Sequence, residues 1–208
     1  MNKWESSTAE DDCTFTTPLP SQEILTSFPR DTTRVLDLGC GYGRVLKHMY
    51  KMGYRDLTGI DVSAELIARA KQSCPDAIYH IQDIERIQLE QRYDLILVMG
   101  VIEYILSDQD QKVFLDKVSK SLNPNGHVLL ETFVMDCANW RDYVAGYIHT
   151  LHWGRFRNSK GFECHHQSIS KLMEILVEHF EIVQATRECY MTWSGNNCNG
   201  LTVILKAH

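Results

Sequence analysis

The features that mark membrane and exported proteins are missing from this sequence of 208 residues. No apolar run approaches the roughly 20 residues that a helix needs to cross a bilayer. The N-terminal stretch MNKWESSTAEDD lacks the charged-then-apolar order of a secretory signal, and its acidic residues are atypical of a transit peptide. We therefore predict a cytoplasmic protein with no membrane partner.

An excess of positive charge is also missing. The chain has 21 Lys and Arg against 27 Asp and Glu, a formal net charge of −6, which argues against nucleic acid as a partner. Its seven cysteines are scattered and include no Cys-x-x-Cys pair. This pattern disfavours a zinc knuckle or a disulfide framework and is typical of a reducing compartment.

Internal repeats, low-complexity tracts and linkers are likewise missing. The hydrophobic share of 44% and the charged share of 23% are ordinary for a globular protein, and a chain of this length can bury a core of its own. We therefore predict a single domain over residues 1–208, in which the polar residues 1–20 form a flexible arm.

What the chain does contain is a regular alternation of strand-like and helix-like segments. The five predicted strands cover residues 34–38, 57–60, 77–81, 93–98 and 127–133. Alternation of this kind indicates parallel strands with helices on both faces of the sheet. Segments 180–189 and 201–205, joined by a turn rich in Gly and Asn, predict an antiparallel hairpin at the C-terminus. The expected fold is α/β, Rossmann-like and doubly wound, with a mostly parallel seven-stranded sheet.

Capping and turn residues predict where several helices begin and end. Ser63 and Ser168 each precede an apolar-periodic segment and are expected to cap a helix. A further helix carrying Val113, Phe114, Val118 and Leu122 is expected to end at the Asn-Pro-Asn-Gly turn of residues 123–126.

A glycine turn is the most informative feature of the sequence. Gly39, Gly41 and Gly43 follow a buried strand and open a helix, where glycine lets the backbone approach a ligand closely. Asp61 ends the next strand about twenty residues later, where a carboxylate can accept hydrogen bonds from ribose hydroxyls. The alternative is that the glycines only make a tight turn and Asp61 only caps a helix.

Two residues of the turn bear on the kind of nucleotide. A dinucleotide fingerprint requires a third glycine where this chain has Arg44, so a nicotinamide-dependent dehydrogenase is disfavoured. Asp37 lies beside the turn, where a carboxylate suits a cationic amino group better than it suits a diphosphate.

Over roughly residues 34–132, the chain resembles the class I S-adenosylmethionine-dependent methyltransferases. The matching motifs are LDLGCGYGR (36–44), TGIDVS (58–63), Gln82-Asp83-Ile84, YDLILVMGVIEYI (93–105) and LNPNGHVLLE (122–131). One departure is Tyr104, where many members carry histidine after the glutamate.

The resemblance implies S-adenosylmethionine as the cofactor. It places Asp61 on the ribose, Asp83 at the adenine amino group, Ile84 on the adenine ring and residues 99–101 near the methionine moiety. The full set of expected cofactor-binding residues is Asp37, Gly39, Gly41, Tyr42, Gly43, Asp61, Val62, Asp83, Ile84, Met99, Gly100 and Val101.

The acceptor is expected to meet segments beyond the carboxyl ends of the strands. Residues 134–166 are rich in aromatic side chains and are predicted to form a small cap, although most of these rings could equally make the cap's own core. Our candidate substrate-binding residues are Asn139, Trp140, Tyr143, His165, Tyr190 and Trp193. The candidate catalytic residues are Glu103, Tyr104 and His166, with Glu131 as a rival base.

Charged and metal-ligating residues of the cap leave alternatives open. Arg141, Arg155, Arg157 and Lys160 make the segment locally basic, which suits a substrate carboxylate or phosphate but also suits ordinary solvated charges. Cys164-His165-His166 lacks the spaced partners that a metal site requires, so no metal is expected.

Missing motifs narrow the acceptor. The fourth strand is followed by neither an Asn/Asp-Pro-Pro-aromatic sequence nor a Pro-Cys pair, and the fifth strand by no Asp-Asn pair. We therefore predict metal-independent methyl transfer to an O, N, S or C nucleophile of a small metabolite, by a monomer or homodimer. Two alternatives remain at this stage: an enzyme that attacks the cofactor itself and releases methylthioadenosine, and a non-catalytic cofactor-binding module.

Overall fold

A computed structural model gives the fold and describes residues 19–20, 25–26, 28–89, 91–136, 139–158, 161–191 and 197–208. The predicted arm of residues 1–20 lies almost entirely outside the described residues. Strands in the described part of the chain are β1 (Arg34–Leu38), β2 (Asp56–Asp61), β3 (Ile78–Ile81), β4 (Tyr93–Met99), β5 (Leu122–Phe133), β6 (Arg155–Arg157), β7 (Glu163–His165), β8 (Phe180–Met191) and β9 (Asn197–Ala207). Its helices are α1 (Arg44–Lys51), α2 (Ala64–Ser73), α3 (Asp108–Lys120), α4 (Trp140–Thr150) and α5 (Ile169–Val177).

Seven of these strands form one sheet, in the order β3-β2-β1-β4-β5-β9-β8. The pairs β1–β2, β2–β3, β1–β4 and β4–β5 are parallel, whereas β9 pairs antiparallel with both β5 and β8. The expected Rossmann-like sheet and its C-terminal antiparallel hairpin are confirmed. The register sets Asp61 beside Ile81 and Met99 beside Glu131, so the parallel strands end close together at one edge.

The two faces of the sheet pack against different helices, as the doubly wound prediction requires. Strand β1 shows the alternation: Val35 packs with residues of α1 and α2, whereas Leu36 and Leu38 pack with residues of α3 and α5. All three β1 side chains are fully buried. This alternation follows from the two-residue repeat of a strand and requires a core on each face.

The α3–β5 junction differs from the sequence prediction. Helix α3 ends at Lys120, and Leu122 pairs with Tyr93 as the first residue of β5. The Asn-Pro-Asn-Gly turn therefore lies within β5, where the register shifts and Asn125 adopts a positive φ of 66°. Pairing with β4 has overridden the local turn signal. Val113, expected on the apolar face of α3, is 41% exposed.

Predicted capping serines begin two of the helices. Ser63 accepts a hydrogen bond from Leu66 N at 3.3 Å, and Ser168 accepts one from Lys171 N at 3.2 Å, each before the first residue of its helix. None of the helices in the described ranges is long and apolar enough to cross a membrane.

The segment between β5 and α5 contains helix α4 and the two-stranded hairpin β6–β7, which we call the cap. Its aromatic side chains divide into two groups. Tyr143 and Phe162 are buried, whereas Trp140, Tyr147 and Trp153 are about half exposed. Only part of the aromatic cap therefore contributes to its core.

Candidate active site

A cavity of about 1040 Å³ lies beyond the carboxyl ends of the parallel strands. One side is made by the β1–α1 turn and by residues at the ends of β2 and β4. The other side is made by residues 104–107 and by the β6–β7 hairpin of the cap. Open α/β sheets bind ligands at this edge, so the cavity lies where the fold leads us to expect a site.

The glycine turn is built tightly against its neighbours. Gly39 N and Cys40 N both donate hydrogen bonds to Ile60 O, at 2.8 and 3.0 Å. Gly39 has a φ of +74°, and a Cβ atom there would lie only 2.5 Å from Val101 Cγ2. The turn therefore has no room for a side chain at Gly39, which explains glycine on both steric and conformational grounds.

Asp61 connects this turn to the start of α2. Its Oδ2 accepts a 2.9 Å hydrogen bond from Gly41 N, and its Oδ1 accepts one of 2.9 Å from Ser63 N. Burial raises the pKa of Asp61, and backbone hydrogen bonds from Ser63, Gly41 and Val62 oppose that rise. The carboxylate lines the cavity and retains acceptor capacity, because its two oxygens offer about four lone-pair positions. The position of Asp61 is therefore compatible both with binding ribose hydroxyls and with a purely structural role at the start of α2.

Asp37 contributes a second buried carboxylate to the cavity. Only 2% of the residue is exposed, and its Oδ2 has no hydrogen-bond partner among the described residues. Burial raises its pKa to about 7; Arg44 lowers the pKa and the nearby Asp61 charge raises it further. A buried carboxylate without a partner is costly. A cationic ligand group beside Asp37 would remove that cost.

The structure brings nearly all the expected cofactor-binding residues to this cavity. Those that line it are Asp37, Gly39, Gly41, Tyr42, Asp61, Val62, Asp83, Ile84, Met99, Gly100 and Val101. Gly43 is not in the lining; it precedes α1 with a φ of +78°. Asp83 Oδ1 accepts a 3.0 Å hydrogen bond from Glu85 N and so caps the short turn of residues 84–86.

Of the predicted catalytic pair Glu103–Tyr104, only Tyr104 lines the cavity. Its ring meets Phe162 edge-on, with ring centroids 6.5 Å apart. Burial raises the pKa of Tyr104, and Cys164 and Glu103 raise it further, so the phenol keeps its proton near neutral pH. The Tyr104 side chain also has a hydrogen bond with Cys164.

Glu103 lies outside the cavity lining and is 1% exposed. Its Oε2 accepts a 2.9 Å hydrogen bond from Thr132 Oγ1, and its Oε1 has no partner in the described part of the chain. Burial raises the pKa of Glu103 to about 7, partly offset by hydrogen bonds from its own backbone and from Thr132. Glu131, the rival base, is also buried.

His166, the third predicted catalytic residue, is not brought to the cavity. Its Nδ1 lies 3.0 Å from the Tyr143 hydroxyl, and its ring stacks on Phe133 and meets Phe156 edge-on. Burial lowers its pKa to about 4, so the ring is neutral at physiological pH. These contacts make His166 part of the cap's aromatic core and give its predicted role as a base no geometric support.

The four predicted substrate-binding residues with described side chains, Asn139, Trp140, Tyr143 and His165, are also placed away from the lining of the main cavity. Asn139 donates 2.9 Å and 3.0 Å hydrogen bonds to Asp136 Oδ1 and Cys198 Sγ, and Tyr143 is buried against His166. Trp140 is exposed on α4. His165 lines a second, smaller cavity of about 350 Å³. Tyr190 lies in β8 without a described side chain, and Trp193 lies outside the described residues.

The cap residues that line the main cavity were not among the candidate site residues, although Arg155 and Arg157 were considered as possible ligands of a substrate carboxylate or phosphate. The cap residues in this lining are Arg155, Arg157, Gly161, Phe162 and Glu163, from β6, β7 and the turn between them. The alternation Arg155-Phe156-Arg157 was the available signal, because a strand places its first and third side chains on one face. No group of three His, Cys, Asp or Glu side chains within the described ranges could hold a metal ion.

Together, the sheet order and the position of the cavity define a Rossmann-like α/β protein whose site lies where such sheets bind nucleotides. The particular family follows from sequence comparison. A family model described as "Methyltransferase domain" matches residues 16–178, and the chain belongs to this family.

Curated relatives and solved structures agree with that assignment. A ubiquinone biosynthesis O-methyltransferase of Bradyrhizobium diazoefficiens is 31% identical over 127 residues, which cover 58% of this chain and 47% of the relative. A malonyl-[acyl-carrier protein] O-methyltransferase of Bacillus anthracis is 32% identical over 103 residues, 48% of this chain and 37% of the relative. The chain thus spans less than half the length of these two relatives.

Similar solved structures support the fold. A SAM-dependent methyltransferase from Methanosarcina mazei has a TM-score of 0.81 and 21% identity, covering 91% of this chain and 99% of that one. The N-methyltransferase NodS of Bradyrhizobium japonicum, in complex with S-adenosyl-l-homocysteine, has a TM-score of 0.63 and 19% identity, covering 84% and 78%. The prediction of a class I S-adenosylmethionine-dependent methyltransferase is confirmed at the level of family and fold.

Proposed function

We propose that this chain transfers the methyl group of S-adenosylmethionine to a nucleophile of a small metabolite, without a metal ion. The observation that carries the proposal is that Asp37, whose buried Oδ2 has no partner among the described residues, lines the same cavity as the glycine turn and Asp61. The cavity thus offers one carboxylate for an amino group and another for ribose hydroxyls. A dinucleotide would place a diphosphate near Asp37, which like charge disfavours.

In this proposal each cofactor moiety meets a distinct part of the cavity. Asp61 accepts hydrogen bonds from the ribose hydroxyls while it keeps those from Gly41 N and Ser63 N. Asp37 holds the amino group of the methionine moiety. Asp83 and Ile84 contact the adenine, and residues 99–101, at the end of β4, face the methionine portion.

Methyl transfer from S-adenosylmethionine requires few catalytic groups from the protein. The cofactor, when bound, supplies a methyl group that its sulfonium already makes electrophilic. The protein's residues therefore need to align the acceptor, exclude water and, for an acceptor that carries a proton, assist its removal. Tyr104 and Phe162, which both line the cavity, form the wall that we assign to the acceptor.

We assign Glu103 a positioning role in this reaction. It lies beneath the cavity wall next to Tyr104 and is held by Thr132, so it acts on the acceptor only through neighbouring groups. The two curated relatives named above are O-methyltransferases, which favours an oxygen nucleophile, while NodS is named an N-methyltransferase. Oxygen is our first choice among O, N, S and C acceptors, and we retain the monomer or homodimer and the cytoplasmic location as proposals.

The proposal is tested by incubating the chain with S-adenosylmethionine and a panel of small hydroxylated, amino and thiol metabolites. We expect acceptor-dependent formation of S-adenosylhomocysteine, which is reduced in Asp61→Ala at low cofactor concentration. Formation of methylthioadenosine without S-adenosylhomocysteine would instead support the cofactor-cleaving alternative. Saturable cofactor binding with no product under any condition would support the non-catalytic module.

A further inference from the structure

Strand β6 presents two arginine side chains to the acceptor end of the cavity. Arg155 pairs with His165 and Arg157 pairs with Glu163 in the β6–β7 hairpin, and both arginines line the main cavity. Phe156, between them, points to the opposite face, where it meets His166 and Tyr143. Arg155 also lines the smaller cavity of about 350 Å³, so it lies between the two spaces.

The two arginines differ in their partners. Arg157 donates a 2.8 Å hydrogen bond to Glu163 Oε1, and both side chains of this pair are more than half exposed. Arg155 Nε is enclosed and has no hydrogen-bond partner, and its side chain makes no ion pair with any residue that the structure describes. Among the described residues, no bonded group compensates the positive charge of Arg155.

Two acidic residues that share a cavity lining with Arg155, Asp108 and Asp110, are bonded to other groups. Asp108 Oδ1 accepts a 2.7 Å hydrogen bond from Gln167 Nε2 and lies 3.8 Å from His165 Nδ1. Asp110, which lines the main cavity, shares a hydrogen bond with Ser107. The structure thus offers Arg155 no bonded carboxylate of its own at this end of the cavity.

The backbone that carries Arg155 is fixed by close packing. A Cβ atom at Gly146 of α4 would lie 1.7 Å from Arg155 O, so the helix and β6 are in direct contact at this point. His166 N also donates a 3.0 Å hydrogen bond to Gly154 O, immediately before β6. A guanidinium carried by a fixed backbone is suited to specific recognition, because no backbone freedom has to be lost on binding.

We propose that Arg155 determines acceptor specificity by binding an oxyanion of the methyl acceptor, a carboxylate or a phosphate. The planar guanidinium matches both groups with two parallel hydrogen bonds, and a partly buried cation without a bonded partner among the described residues gains from such a ligand. This inference rests on the proposed function and adds to it that the acceptor is an anionic small molecule, bound with its charge at Arg155.

The test measures oxyanion binding by NMR titration of the ¹⁵N-labelled chain saturated with S-adenosylhomocysteine. The probes are benzoate, phenyl phosphate and benzamide, which share a ring and differ in the charged group. The variants are Arg155→Ala, Arg155→Lys and, as the matched control, Arg141→Ala on α4, which lies outside the cavity lining. We expect saturable binding of benzoate or phenyl phosphate, with the stronger of the two identifying the oxyanion, and none of benzamide.

In Arg155→Ala we expect the oxyanion Kd to rise about 10- to 100-fold. The oxyanion Kd of Arg155→Lys is expected to be intermediate, because lysine keeps the charge and loses the planar pair of hydrogen-bond donors. The Kd of Arg141→Ala is expected to match that of the unsubstituted chain. Equal oxyanion affinity in Arg155→Ala, equal binding of benzamide, or no saturable oxyanion binding would each overturn the inference.

Calorimetry of S-adenosylhomocysteine on the same samples separates this inference from the proposed function. No binding to the unsubstituted chain contradicts the proposed function, whereas normal binding without an effect of Arg155 contradicts only the inference. Retained cofactor binding also shows that Arg155→Ala is folded; if that variant has lost it, Arg155→Gln replaces it.

Discussion

Gly41 and Asp61 are joined by a 2.9 Å hydrogen bond from the Gly41 backbone N–H to the Asp61 carboxylate. Because Asp61 also accepts a hydrogen bond from Ser63 N, one side chain holds the β1–α1 turn against the end of β2 and fixes the entry to α2. The residue assigned to the ribose thus also maintains the shape of the site that surrounds it.

Substitution of Asp61 should therefore reduce both cofactor affinity and stability. We expect Asp61→Ala to raise the Kd for S-adenosylhomocysteine about 10- to 100-fold and to lower the free energy of unfolding by about 1–3 kcal/mol, since hydrogen bonds to a charged acceptor are lost. Calorimetry and urea unfolding measure the two effects. The exposed Asp31 provides the control as Asp31→Ala, and an unchanged Kd in Asp61→Ala would refute the ribose assignment.

Asp37 should make cofactor affinity depend on pH. Its pKa is raised to about 7, so below neutral pH the carboxyl is largely protonated and does not attract an amino group. Because the ligand's ammonium favours the ionised form, affinity should increase with pH, by roughly five- to tenfold between about pH 6 and about pH 7.5. Binding below pH 7 should also release a proton, seen as a calorimetric enthalpy that varies with the buffer.

The control for this pH dependence is Asp37→Asn, which removes the titrating group and keeps its size. The variant should bind S-adenosylhomocysteine more weakly at neutral pH, and its affinity should vary much less over the same range. If both proteins show the same pH profile, Asp37 is not the group that holds the amino moiety.

Gly39 should tolerate alanine less well than another glycine of positive φ. A Cβ at Gly39 would lie 2.5 Å from Val101 Cγ2, whereas at Gly53 the nearest atom is Arg30 Cδ at 3.4 Å. We expect Gly39→Ala to cost roughly 2–4 kcal/mol of unfolding free energy, and Gly53→Ala roughly 1–2 kcal/mol from backbone conformation alone. Adding Val101→Ala should recover part of the difference, and equal losses at the two glycines would argue against the close contact.

His166 should make stability depend on pH in the opposite direction from a buried carboxyl. Its folded-state pKa is lowered to about 4 from 6.5. The contribution of His166 to the free energy of unfolding is therefore full above about pH 6.5 and is lost as pH falls towards about 4. The difference in free energy of unfolding between the unsubstituted chain and His166→Gln should therefore shrink by about 2–3 kcal/mol from about pH 7.5 to about pH 4.5. Urea unfolding measures it, with His149→Gln on the exposed side of α4 as control; a constant difference would contradict a buried neutral ring.

The cofactor half of the site could be predicted because its signals are local. Strand β1, the glycines that follow it and Asp61 at the end of β2 occupy the positions that pattern and spacing indicated. Parallel pairing then brings the strand ends together by topology alone. The presence of Asp83 and residues 99–101 at the same cavity can therefore be predicted without any knowledge of side-chain packing.

The acceptor half could not be predicted in this way, because long-range packing decides which cap side chains face the cavity. Tyr143 and His166 look like site residues in sequence, yet they pair with each other and are buried. Arg155 comes from a strand of three residues, in which a single Arg-Phe-Arg alternation is too short to distinguish a cavity-lining strand from a solvated one. Long-range packing also decides where β5 begins, because Leu122 pairs with Tyr93 of β4.

The measurement that tests the central claim most directly is a crystal structure of the chain grown with S-adenosylhomocysteine. We predict that the ribose hydroxyls lie about 2.7–3.2 Å from the Asp61 carboxylate, and that the amino group lies at the same range from Asp37 Oδ2. The sulfur should face the cavity wall that carries Tyr104 and Phe162. A ligand bound outside this cavity, or bound in it with its adenosine away from Asp61, would contradict the account.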